Sequence, residues 1–174
     1  VIGAASAAAL LISIGLLCAR RIDTALQLCA LQAVVAAASL GRVAPAFAVV
    51  ACILNGVALP LAVVRWNGAT FLATRGRAVP AWATVLALLT ATELAVAKVG
   101  VDGSVAAGVS VALLGVLLII LRAHALAPVL GLLSSQNGLV MLAGAHPDLS
   151  PQTALAVALP LLPALALAES RLRR

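Results

Sequence analysis

The stretch SVAAGVSVALLGVLLIILRAHALAPVLGLLSSQNGLVMLAG, residues 104–144, contains one arginine and one histidine and no other ionisable side chain. As a single α-helix it would run about 60 Å at about 1.5 Å per residue, twice the roughly 30 Å hydrocarbon thickness of a bilayer. The chain is therefore expected to turn near Arg122 and His124, giving two apolar helices of spanning length. Residues 24–64 pose the same problem, and Gly41, Arg42 and Pro45 supply the turn. Extending the reading outward gives seven candidate helices, roughly 1–19, 24–41, 43–64, 80–97, 104–121, 125–144 and 151–168. Pro80 and Pro151 sit where a first helical turn tolerates a missing N–H.

Composition points the same way. The 174 residues are 64% hydrophobic and 9% charged, against roughly 45–50% and about 25% for a soluble domain. The expected fold class is all-α, a polytopic integral membrane bundle forming one transmembrane domain over 1–174. This leaves no room for a soluble catalytic domain or nucleotide fold. The first apolar run, Val1 to Ala19, lacks a basic flank before it and is read as a span rather than a signal peptide.

The net charge of +6 comes from bases placed where apolar runs end, so it marks headgroup contact with lipid rather than nucleic acid binding. With seven spans, Arg20, Arg21, Arg65, Arg75, Arg77, Arg122, Arg171, Arg173 and Arg174 fall on one side, and Arg42 and Lys98 on the other. This asymmetry predicts an N-terminus outside and a C-terminus in the cytoplasm. Cys18, Cys29 and Cys52 lie inside apolar runs without metal or disulfide spacing. His124 and His146 fall in loops on opposite sides, so no metal or other cofactor is expected.

Ionisable groups inside a membrane are costly and so are functional candidates. Asp23, Asp102, Asp148 and Glu169 lie at predicted span ends, which leaves Glu93 as the one acid inside a span. It reads either as an interfacial residue beside Lys98 or as a proton-exchanging carboxylate. Ser134, Ser135, Gln136 and Asn137 form the densest polar run inside a helix, with Gln27, Gln32 and Asn55 as further polar islands. These either bond between helices or line a hydrated path. Small-residue faces such as Ala33, Ala36 and Ala37 favour close helix packing, and Pro60, Pro160 and Pro163 predict kinks. A weak echo relates 20–64 to 122–168: Leu26-Gln27-Leu28 through Gln32 and a later Leu59-Pro60 match Leu130-Gly131-Leu132 through Gln136 and Leu159-Pro160.

Two segments, Gly131-Leu-Leu-Ser-Ser-Gln136-Asn137-Gly138 and Ile53-Leu-Asn55-Gly-Val-Ala-Leu-Pro60-Leu, resemble the hydrogenase-4 component E family. These are small membrane subunits of complex I-like hydrogenase and formate hydrogenlyase assemblies. The first segment is similar to the family's run ending Glu-Asn-Gly, the second to its third helix, with Lys and then Pro five residues on. The last three spans of that family in turn resemble subunit K of complex I and the C subunit of cation/proton antiporters. The resemblance implies a non-catalytic subunit in a bacterial cytoplasmic membrane, packed against larger antiporter-like and quinone-site-like subunits. The family's titratable positions depart here: Gln136 stands for Glu, Asn55 for Lys and Pro160 for Asp. Amides hydrogen-bond but do not exchange protons near neutral pH, so no proton-relay role is carried over. The competing readings are a proton-conducting subunit, using Glu93 with water held by Gln136 and Asn55, and a free-standing small transporter.

Overall fold

The computed structural model describes residues 3–41, 45–58, 60–61, 78–99, 102–122 and 126–145. All regular structure among them is helical: α1 Ala4–Cys18, α2 Ile22–Leu40, α3 Pro45–Ile53, α4 Ala78–Val99, α5 Gly103–Leu121 and α6 Ala127–Ala145. These match the first six helices expected from the sequence, with shifted ends; the expected seventh, 151–168, lies outside the described residues, as do Pro160 and Pro163. The second copy of the expected repeat is thus described only as far as α6. By length and composition, α2 and α5 are apolar enough to cross a membrane. Helices α1 and α3, the latter with its following turn, are apolar but shorter, and the polar run at 134–137 lowers the hydropathy of α6.

Helix α3 continues into a π turn, Leu54–Ala58. Pro60 lies two residues beyond it; it offers no N–H, and in a regular α-helix its ring would press on the carbonyl four residues back, at Gly56. A widened turn relieves that clash, so the backbone leaves regular α-helical geometry just ahead of Pro60.

Four helices, α1, α2, α5 and α6, surround the core. Toward one end Leu16, Ile22, Leu26, Leu118, Leu130 and Leu133 interlock. Toward the other, smaller residues fill the space: Ala9, Ala36, Ala107, Val111, Val140 and Met141. Helix α4 packs on α5 through Val85 against Leu114 and Leu117, and α3 lies against α2.

The tightest contact is between α5 and α6. A Cβ built on Gly115 would lie 2.5 Å from both the Gly131 carbonyl oxygen and the Ser135 nitrogen, and one on Gly131 would lie 2.5 Å from the Gly115 oxygen. Two turns along, a Cβ on Gly138 would lie 2.5 Å from the Ala112 nitrogen and 2.6 Å from the Gly108 oxygen. The glycines face each other across antiparallel helices, which lets the backbones touch. Between the two pairs, Ser135 Oγ donates to the Ala112 carbonyl at 2.8 Å. A further glycine, Gly144, lets the end of α6 rest on Ser39 of α2.

Arg122, expected to be a loop base at the interface, is instead 4% exposed. Its guanidinium donates to the Ala19 carbonyl at 2.7 Å and to that of Leu17, closing off acceptors that the end of α1 leaves open. Burial lowers its pKa, Cys18 acts against that and the Arg20 charge adds to it. Arginine titrates so far above neutrality that it stays cationic. This clamp puts Arg20, Arg21 and Arg122 at the same end, as alternating helices require. Gly3, Ser39, Asp102 and Gly144 border one cavity at the opposite end.

Gly115→Ala and Gly131→Ala should each lower stability by about 1–3 kcal/mol through overpacking, measured by denaturant titration in mild detergent. Gly15→Ala, whose new Cβ meets nothing nearer than Leu28 Cδ1 at 3.5 Å, should leave stability unchanged or raise it. Arg122→Ala should cost about 1.5–3 kcal/mol, the scale of hydrogen bonds to a charged group, and Arg122→Lys should restore part of it.

Candidate functional site

A polar cluster sits inside the apolar bundle, assembled from α1, α2, α6 and the π turn after α3. Ser13, Gln32, Asn55 and Asn137 are each at most 2% exposed. Asn55 Nδ2 donates to Asn137 Oδ1 at 3.2 Å. Asn137 Nδ2 donates to Gln32 Oε1 at 3.3 Å, and Gln32 Nε2 donates to Ser13 Oγ at 2.7 Å. Ser13 Oγ then donates to the Ala9 carbonyl, one turn back on its own helix, at 2.8 Å. The four side chains form a single chain of hydrogen bonds running in one direction. Such chains polarise their members and strengthen each bond.

The direction has a cause. Asn137 Nδ2 also lies 3.5 Å from the Cys29 carbonyl, a group that only accepts. That carbonyl fixes which side of the Asn137 amide carries nitrogen, and the Asn55 and Gln32 orientations follow. Asn137 is therefore the hub: it binds α2 twice and the π turn once.

Its neighbour Gln136 is not in the cluster. Successive helical residues point about 100° apart, so the hub and Gln136 cannot face the same neighbours. Gln136 is buried, yet its Oε1 has no hydrogen-bond partner among the described residues, and the same holds for the hydroxyls of Ser110 and Ser134. Glu93 is half-buried on α4, takes no part in the chain of hydrogen bonds, and is not joined to Gln136 or Asn55 by any hydrogen bond described. Of the polar residues singled out by sequence, the structure brings together Gln32, Asn55 and Asn137 and leaves Gln136 and Glu93 apart. Ser13 and the hub role of Asn137 were missed. The sequence carried no signal to separate the two amides, since Gln136 and Asn137 are adjacent on α6 and both are buried.

Chemically, the cluster consists of three amides and a hydroxyl. None of these takes up or releases a proton near neutral pH. Cys29 is buried beside it, with Sγ 3.9 Å from the Leu130 carbonyl, a weak contact. No group of three or more His, Cys, Asp or Glu placed to hold a metal ion occurs among the described residues. No protein-family profile, curated protein or solved structure matches the chain.

The two adjacent amides of α6 should behave differently. Asn137→Leu should cost about 2 kcal/mol or more, since several interhelical bonds of about 0.6–2 kcal/mol each are lost and partners are stranded. Gln136→Leu removes an acceptor that has no partner among the described residues, and should change stability by less than about 1 kcal/mol in either direction. Chemical or thermal unfolding of the purified variants, compared side by side, measures the difference.

Proposed function

We propose that this chain is a multi-span subunit of a bacterial cytoplasmic membrane. In this reading it has no catalytic site and packs against larger antiporter-like and quinone-site-like subunits of a complex I-related assembly of the hydrogenase-4 or formate hydrogenlyase type. The observation that carries the reading is the state of the deepest polar residues. Where the resembled family has Lys at the position of Asn55, this chain places an amide that is bonded to Asn137 and carries no charge. A cluster that satisfies itself holds helices together and leaves proton exchange to partner chains.

Surface composition supports association with lipid or with other membrane helices. Val49, Val50, Ile53, Leu54, Val57 and Leu61 on and just beyond α3 are 45–58% exposed, a patch that water would penalise. The clustering of Arg20, Arg21 and Arg122 at one end agrees with a cytoplasmic face there. The full proposal is seven spans, with the N-terminus outside and the C-terminus in the cytoplasm.

Mild-detergent purification from the native host, by a tag on this chain, should recover at least one much larger multispan subunit. Isolation of the chain alone, stabilised by a small solute, would favour the free-standing transporter instead. Reporter fusions at Arg75 and Arg174 should both signal the cytoplasm; a split result contradicts the seven-span topology.

A further inference from the structure

A groove of about 410 Å³ lies between the first turns of α2 and the end of α3, at the same end as Arg20 and Arg21. Its polarity is graded along α2. Asp23 stands at the mouth, Gln27 one turn deeper, and Leu26, Ala30, Val57 and Leu61 line the rest. We propose that this groove binds one aminophospholipid of the phosphatidylethanolamine class, an inference that rests on the membrane reading given above.

Three levels of the groove match three levels of such a lipid. Asp23 lines the mouth and lies 3.6 Å from Arg21, with side chains 46% and 65% exposed, so the pair leaves both groups open to a ligand headgroup. One positive and one negative group complement the phosphate and ammonium of a zwitterion. A phosphatidylglycerol would satisfy Arg21 and bring no cation to Asp23. About 6 Å further in, at about 1.5 Å per residue, Gln27 is exposed on a helix apolar enough to span a membrane. Hydrocarbon offers its amide nothing, whereas an ester carbonyl at the glycerol level accepts its N–H. The remaining walls are aliphatic: Val57 lies deeper and Leu61 nearer the mouth, because α3 runs back along α2, and at 51% and 58% exposed both are left for an acyl chain to cover.

The test uses the full chain in nanodiscs containing equal amounts of phosphatidylethanolamine and phosphatidylglycerol, followed by mild-detergent release and native mass spectrometry. One phosphatidylethanolamine should be retained per chain, preferred by about five-fold, the scale of one charge interaction near a membrane surface. Asp23→Asn should bring that preference close to unity. Ala30→Phe fills the groove from α2 and should abolish retention with helix content unchanged by circular dichroism. Should that variant not fold, Gln27→Leu takes its place and should weaken retention. Equal retention of the two lipids, or wild-type retention by the groove variant used, overturns the proposal. So does recovery of a protein partner in place of any lipid, which would assign the groove to a helix of another subunit. Carbonate washing of native membranes separates the two readings. A chain released by the wash refutes the membrane reading itself, whereas an embedded chain without lipid preference refutes only the site.

Discussion

The carboxamide of Asn137 is the constraint on which the rest of the arrangement depends. In an apolar interior a polar group without a partner costs more than a satisfied one gains, so the position of the hub decides which residues must lie beside it. Gln32, Asn55 and the Cys29 carbonyl meet that demand, and Ser13 completes the chain at α1. Sliding α6 by a turn would break all three bonds of Asn137 at once. The register also repeats: Ser6, Ser39 and Gly144 lie seven residues from Ser13, Gln32 and Asn137, and all three border the cavity at the opposite end. Heights set at the cluster are thus kept two turns away.

The glycine contact between α5 and α6 supplies the second half of the geometry. A polar cluster fixes register but allows helices to stand apart, whereas backbone contact at Gly115 and Gly131 fixes their separation. Helix α6 carries both, with its glycines toward α5 and its hub toward α2. This division of faces explains why buried residues surround so much of α6. It also accounts for Gln136, which lies off both faces and keeps an acceptor without a described partner.

Much of the helix order was legible because boundaries are written in residue types that apolar runs exclude. Arg20-Arg21, Pro45 and Arg122 each stand within two residues of a helix end. Which face of each helix points inward was not legible. In a chain where nearly every side is apolar, periodicity carries little contrast, so Gln136 and Asn137 looked equivalent. Ser13 was overlooked because a serine in an apolar helix, like Ser6 before it, gives no sign of the glutamine opposite. Arg122 read as a loop base because its acceptors, the Leu17 and Ala19 carbonyls, are backbone groups about a hundred residues earlier. Those contacts depend on the end of α5 meeting the end of α1, which only the assembled bundle shows.

Asn137 and Gln32 stabilise each other directly across the α2–α6 interface. A double-mutant cycle with Gln32→Ala and Asn137→Ala, read as unfolding free energy in a lipid or mild-detergent environment, isolates that term. The expected coupling is about 0.6–1.7 kcal/mol, the range for interhelical hydrogen bonds in membranes. Single-variant losses that simply add, with coupling near zero, would contradict it.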